Sequence, residues 1–402
     1  MNILMISATF PYPPTLGGTQ VRTFYLLKHL SQHHAVTLVT QRSNAVNDTD
    51  IAALQSWVDH LQVFPRPRAA HLPTGPLGKL SRFGRFLLDA TPPHVRYVWT
   101  AAMQDWLDTW VRAGKADVIT CEHSVNEIFV RPAWRHCVRK TVVDIHSSLY
   151  GTCLNQLQTG TAEKPWRDRL SLPLLRRYER QYTAKFTDLV VTTPDDQQQF
   201  QIQPEQQALH IIPNGVDLTA FPYRASDPGG HRLIFVGAMD YIANIDTAKF
   251  LAQEILPALR QRYPDAEVLL VGARPTQEVK ALGRLPGVVV TGVVPSVVEY
   301  LHEATVCVVP MRIGYGIKNK TLEAMAAGVP VVASERGLEG LAVDSPQRAL
   351  RANTPAEYVA AISRLFDNAG LRQELARRAR NLIETDYTWD QAGRRYEQVL
   401  SS

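Results

Sequence analysis

Short apolar runs rich in Val, Ile and Leu alternate along this chain with longer stretches in which apolar residues recur at helical spacing. Runs at 3–7, 35–40, 117–121, 141–145 and 188–192 read as strands of a first half. Runs at 232–236, 267–271, 288–291, 306–309 and 329–333 read as strands of a second. Strands buried on both faces by intervening helices lose their polar alternation, so this pattern predicts parallel sheets built from βαβ units. The expectation is an α/β protein with two doubly wound domains and a cleft between them. Residues 221–230, with Pro222, Pro228 and the Gly229-Gly230 pair, read as the linker between the halves. Residues 43–110 are the least regular, interrupted by Pro65, Pro67, Pro73, Pro76, Pro92 and Pro93. Ligands of open parallel sheets sit beyond the carboxyl ends of the strands, so chemistry is expected in the loops that follow them.

The most informative such loop is Tyr315-Gly-Ile-Lys-Asn-Lys-Thr-Leu-Glu323, after the run at 306–309. The chain turns through Gly314 and Gly316 and is predicted to enter a helix near Asn319 that stops at Gly328 and Pro330. The first amides of a helix have no intrahelical partner and carry the positive end of its dipole, which makes an anion site. Lys318 and Lys320 add full charges, and Glu323, one turn inside, is placed to accept hydrogen bonds from sugar or ribose hydroxyls. The plain alternative is a basic helix start packed under a strand.

A second glycine loop, Gly17-Gly18, follows the first strand run and precedes a helix bearing Arg22. Glycines let a phosphate or sugar approach the backbone closely, and a tight turn without a ligand is the alternative. Two histidines, His123 and His146, stand just after strand runs, with Asp144 two residues before His146 and Glu122 beside His123. Asp48-Thr49-Asp50 has a metal-binding DxD form, but its polar surroundings read as a loop or helix cap.

Several of these segments together resemble glycosyltransferase family 4, the retaining GT-B enzymes that use nucleotide-sugar donors. The 315–332 stretch is similar to the family's donor-site segment, and Asn2-Ile-Leu-Met-Ile with Gly17-Gly18-Thr-Gln-Val-Arg22 to its first strand, glycine loop and helix. Ile211-Ile-Pro-Asn-Gly-Val-Asp217 resembles the joint between its domains, and Leu233-Ile-Phe-Val-Gly237 the first strand of its second domain. Val268-Leu-Leu-Val-Gly272, Val288-Val-Val-Thr-Gly292 and Tyr387-Thr-Trp389 follow in the family's order.

The resemblance implies an acceptor-binding Rossmann-like domain over residues 1–222, a nucleotide-sugar domain over 223–385, and a terminal helix within 386–402 that crosses back to the first. It also implies roles. His146, Lys320 and Glu323 are the expected catalytic residues. Gly17, Gly18, Gly237, Arg312, Gly316, Ile317, Lys318, Asn319 and Thr321 are expected at the donor, and Arg22 and His123 at the acceptor. Two departures mark a subgroup. The first carboxylate of the family's Glu-x7-Glu pattern falls on Tyr315, and the usual basic pair is missing from Gly237-Ala-Met-Asp-Tyr-Ile-Ala-Asn244. Arg312, Lys318 and Lys320 are expected to meet the phosphate charge instead, while Asn244 and Asp246 read as caps of the next helix.

Length and charge are consistent with this reading. A chain of 402 residues with 45% hydrophobic and 20% charged residues suits two or three globular domains. Its net charge of +5 favours anionic donors, and its basic residues are not interleaved with aromatics as in nucleic-acid binders. Basic stretches at 79–85 and 167–185 read either as solvated helix faces or as contacts with an anionic membrane. The four cysteines have no CxxC spacing, and no apolar run approaches the roughly 18 residues needed to span a bilayer, so a cytoplasmic location is expected. The function expected is transfer of a hexose from a nucleoside diphosphate sugar to a hydroxyl acceptor, with or without a lipid anchor on it, with retention and without metal or cofactor. A nucleotide-sugar epimerase of the same architecture and a non-catalytic sugar-nucleotide binding module are the alternatives.

Overall fold

Leu233 and Phe235 face one apolar core while Ile234 between them faces another, and both are fully buried. A strand covered on both faces needs helices on both sides of its sheet, which βαβ crossovers supply. The computed structural model describes residues 1–14, 17–67, 84–200, 207–314 and 316–402. These form two units, one of residues 1–213 with 392–402 and the other of residues 214–391.

The first unit holds a seven-stranded sheet in the order β3-β2-β1-β4-β5-β6-β7. Its strands are β1 (Asn2–Ser7), β2 (Ala35–Arg42), β3 (His60–Pro65), β4 (Val118–Glu122), β5 (Lys140–Ile145), β6 (Asp188–Val191) and β7 (Ala208–Ile211), all parallel. The second unit holds a six-stranded sheet in the order β10-β9-β8-β11-β12-β13. These strands are β8 (Arg232–Val236), β9 (Glu267–Val271), β10 (Val288–Gly292), β11 (Val306–Val309), β12 (Val331–Ala333) and β13 (Leu350–Arg351), again parallel. Strand order reverses between β1 and β4 in one unit and between β8 and β11 in the other. A ligand crevice opens at such switch points, beyond the carboxyl ends of the strands.

Every strand expected from the sequence is present, and the α/β doubly wound expectation holds in both units. Three strands were not expected: β3, β7 and β13. All lie at sheet edges; β3 and β7 are only partly buried and β13 is two residues long, so no continuous apolar run marks them.

The chain changes unit between Pro213 and Asn214, earlier than the expected boundary after residue 222. The expected linker at 221–230 is instead bound into the second unit. Buried Arg224 donates to the Ala304 carbonyl at 2.8 Å, and Asp227 accepts from Arg372 at 2.8 Å. The terminal helix Trp389–Ser401 belongs to the first unit from Ala392 onward. There the Tyr396 hydroxyl donates to Glu122 Oε1 at 2.8 Å, and Lys140 Nζ donates to the Val399 carbonyl at 2.8 Å.

The DxD segment forms a helix start: Asn47 caps Asp48–Gln55 in a capping box with Asp50, and Asp48 pairs with Arg42 at 2.7 Å. All four cysteines are free, and Cys121, Cys153 and Cys307 are buried. Among the described residues no helix is long and apolar enough to cross a membrane.

Candidate functional site

In the second unit, the carboxyl ends of β8 and β11 meet the start of the helix Asn319–Ala326. The chain leaves β11 through Gly314 (φ 97°) and Gly316 (φ 79°), left-handed conformations that explain glycine at both positions. No side chain caps the helix start among the described residues; the Thr321 amide donates to the Lys318 carbonyl at 2.9 Å, while the Asn319 and Lys320 amides remain available. Lys320 Nζ donates to Asn244 Oδ1 at 2.5 Å and lies 4.3 Å from the centroid of the Phe235 ring. A Cβ placed on Gly237 would come within 2.9 Å of that ammonium and 2.7 Å of Asn244 Nδ2. Glycine at the end of β8 therefore makes the room in which Lys320 sits.

Lys320 has no carboxylate within ion-pair distance among the described residues. Burial, with Lys318 nearby, pushes its pKa down to about 7 against the opposing pull of Glu323 and Cys307. Glu323, one turn along the same face, makes no side-chain hydrogen bond among the described residues, and burial pushes its pKa up to about 7 although Lys320 opposes the shift. A desolvated ammonium and a desolvated carboxyl at an uncapped helix start match an anion carrying hydroxyl groups.

The other expected donor residues separate into distinct places. Lys318 is buried and turned away from the helix start. Its ammonium donates to the carbonyls of Gly316 and Gly314 and pairs with buried Glu339 at 3.2 Å, so it locks the loop and does not present charge to a ligand. The Thr321 hydroxyl donates to the Gly337 carbonyl at 2.8 Å, and the Ile317 side chain belongs to the apolar core. Asn319 Oδ1 accepts from Asn214 at 2.8 Å, which ties the Pro-Asn-Gly-Val-Asp joint to the helix start. Arg312 is paired with Asp246 at 2.5 Å and lies over the Phe250 ring at 4.8 Å. Neither Asn244 nor Asp246 caps a helix, because the helix Ile242–Phe250 has Tyr241 at its N-cap. Tyr315 lies outside the described residues.

In the first unit, β1, β4 and β5 end beside the start of the helix Gly18–Leu30. Among the described residues, a Cβ on Gly17 would meet nothing within 4 Å, so the backbone there is open to a ligand. Thr19 Oγ1 lies 3.3 Å from His146 Nδ1, and His146 Nε2 lies 3.1 Å from Asp144 Oδ2. Arg22, expected to touch the acceptor, is 1% exposed. Its Nε and Nη2 donate to Asp144 Oδ2 and Oδ1 at 2.6 and 2.8 Å. Arg22 therefore acts through Asp144, orienting His146, and cannot reach an acceptor.

The four groups Arg22, Asp144, Glu122 and Tyr396 form one buried network. Burial alone would raise the Asp144 pKa, but the Arg22 guanidinium and His146 outweigh it and hold that carboxyl well below its usual range. Glu122 goes the other way: burial and the Asp144 charge push it up to about 8, against the Tyr396 hydrogen bond and Arg22. The buried surroundings thus push the two neighbouring carboxyls in opposite directions. His123 packs edge-on to His146 with centroids 4.8 Å apart. Its Nδ1 accepts from the Val125 amide at 3.2 Å, and burial with the neighbouring His146 lowers its pKa to about 3. His123 adopts φ 76°, a strained value held by this turn.

Sequence reasoning missed Asn244, read as a cap, and the Glu122–Tyr396 contact. A polar side chain two turns after a glycine-ended strand was the available signal for Asn244. The Glu122–Tyr396 contact had none, because it spans most of the chain.

Residues 16–220 match Glycosyltransferase Family 4, and residues 230–368 match Glycosyl transferases group 1. Glycogen synthase of Mycobacterium tuberculosis (strain ATCC 25618 / H37Rv) is 27% identical over 208 residues, which cover 47% of this chain and 47% of that protein. The matched region therefore spans about half the length of this curated relative. Among solved structures, sucrose-phosphate synthase from Thermosynechococcus elongatus has a TM-score of 0.66 at 18% identity, covering 99% of this chain and 98% of that one. Anabaena HepE in complex with UDP and glucose has a TM-score of 0.65 at 15% identity, covering 100% of this chain and 99% of that one. At these identities the likeness establishes the fold, which is GT-B. Because the first family match covers more than half of the 402 residues, the chain belongs to Glycosyltransferase Family 4.

Proposed function

We propose that this protein is a retaining glycosyltransferase that moves a hexose from a nucleoside diphosphate sugar to a hydroxyl acceptor on a polysaccharide, a glycolipid or a small-molecule glycoside. The observation that carries the reading is Lys320: a half-buried ammonium at a helix start without a side-chain cap, held by a neutral amide, with Glu323, one turn away, making no side-chain hydrogen bond among the described residues. Diphosphate oxygens supply the negative charge this ammonium lacks, and the departing nucleoside diphosphate gains charge as the glycosidic bond breaks. Lys320 and the helix amides stabilise that charge in place, without reorganisation and without a metal ion. Glu323 accepts hydrogen bonds from ribose or sugar hydroxyls. His146, oriented by Asp144 and Arg22, hydrogen-bonds a hydroxyl of the sugar or the acceptor and does not act as a nucleophile. Retention rests on the family resemblance.

The helix Pro165–Thr183 exposes Trp166 (68%) and Leu170 (56%) among its arginines, which supports peripheral contact with an anionic membrane as part of the same reading. Most of the other basic stretch, 79–83, lies outside the described residues. A cytoplasmic location is part of the reading as well.

The test is calorimetric titration of UDP, GDP, ADP and dTDP and their common sugars into wild type, Lys320→Ala and Glu323→Ala, with product analysis in the presence and absence of acceptor. Selective binding that both substitutions abolish, with transfer only when acceptor is present, is the expected result. Sugar conversion without acceptor identifies an epimerase. Binding with no transfer to any acceptor identifies a non-catalytic module. Unchanged binding and turnover in Lys320→Ala refutes the assigned role.

A further inference from the structure

The far end of the helix Gly18–Leu30 carries a cluster that the donor and acceptor chemistry does not use. His29 closes its last turn, and His33 and His34 follow directly. The terminal helix crosses this point closely because residue 393 is glycine: a Cβ there would fall within 2.3 Å of the His29 ring. One turn further, Glu397 reaches back. Its Oε2 lies 3.1 Å from His29 Nε2 and its Oε1 2.9 Å from His34 Nε2. The His34 contact lacks hydrogen-bond geometry, so this buried nitrogen has a carboxylate beside it and no satisfied bond. The His33 ring packs against that of His29 with centroids 5.5 Å apart and is exposed.

Donor atoms of His29, His33 and Glu397 lie within 4.8 Å of one another. Tetrahedral bonds of about 2.0–2.1 Å place ligand atoms roughly 3.4 Å apart, and rotation of the exposed His33 ring covers the difference. We propose that His29, His33 and Glu397 bind a divalent transition-metal ion of the zinc class, with water completing the coordination. Imidazole nitrogens with one carboxylate select zinc, nickel or copper over magnesium or calcium, which prefer all-oxygen sites. The ion is structural. At a rise of 1.5 Å per residue the ten residues from Thr19 to His29 span about 15 Å, so it sits far from His146 and cannot polarise a reacting sugar. Its effect is to clasp the terminal helix to the helix whose opposite end carries the glycine loop.

The full-length protein, freed of any affinity tag and stripped with chelator, is titrated with zinc chloride by calorimetry and melted with and without zinc. Cobalt(II) chloride gives a parallel readout, because tetrahedral coordination produces visible absorption. One equivalent is expected to bind, to raise the melting midpoint and to develop the cobalt band, whereas magnesium does none of these. His33→Ala removes an exposed ligand at the cost of its ring contacts with His29 and His34, and Glu397→Gln keeps the shape without the charge. Each is expected to weaken zinc binding roughly tenfold or more. Wild type that binds no zinc saturably, or His33→Ala that binds it as tightly as wild type, overturns the proposal.

Discussion

Lys320 titrates near neutrality only while its site lacks an anion, so donor binding should be linked to protons. Burial holds its pKa at about 7 in the free protein. A bound diphosphate restores a counter-charge and should return the pKa toward its ordinary value near ~10.4. The bound state then holds a proton that the free state has half lost at pH 7 and almost wholly lost at pH 9. Donor affinity is therefore highest below pH 7 and falls as pH rises through the free pKa. With those two values, the dissociation constant should rise about 50-fold between pH 7 and pH 9, and binding at pH 7 should take up about half a proton. The diphosphate of a nucleotide sugar is doubly esterified and does not titrate in this window. Glu323 also titrates in this window, with a pKa of about 7. Lys320→Met separates the two by removing the lysine share. The assay is calorimetry across pH 6–9, repeated in buffers of different ionisation enthalpy. A flat dissociation constant from pH 7 to 9 in wild type, or an unchanged slope in Lys320→Met, refutes the reasoning.

Two further substitutions test the buried ion pairs. Asp144→Asn leaves the Arg22 guanidinium buried without its counter-ion and should cost about 3–5 kcal/mol, a fall of roughly 10 °C in melting midpoint, with the double substitution Arg22→Met/Asp144→Leu recovering part of the loss. Lys318→Met strips Glu339 of its ammonium and should lower the midpoint by about 2 kcal/mol equivalent, while Lys320→Ala leaves stability near wild type and weakens donor binding. If the two lysines exchanged these effects, Lys318 would be the phosphate ligand.

The contrast between these lysines shows where sequence reading stops. Both sit in Gly-Ile-Lys-Asn-Lys at a helix start, and spacing alone gives them the same anion-binding task. They diverge because the backbone turn at Gly316 aims one inward at Glu339 and the other across to Asn244, residues remote in sequence. Arg22 tells the same story. Its place after a glycine loop suggests ligand contact, yet the sheet order puts β5 where Asp144 takes both its donors.

Residues near one another along the chain set the elements. Apolar runs buried on both faces fixed the central strands, and glycine and proline fixed the turns, because these depend on neighbours along the chain. The sequence left β3, β7 and β13 unmarked, because β3 and β7 are only partly buried and β13 is two residues long, whereas β10, also at an edge, keeps its run of valines. Which charges are desolvated and which are already paired depends on the folded arrangement. Lys320 and Glu323 became chemically distinctive through desolvation without an ionic partner among the described residues, while Lys318, Arg22 and Arg312 were consumed by carboxylates from other elements. A side chain's charge is written in the sequence, but its pKa and its availability depend on the dielectric and the partners that folding brings within a few ångströms of it.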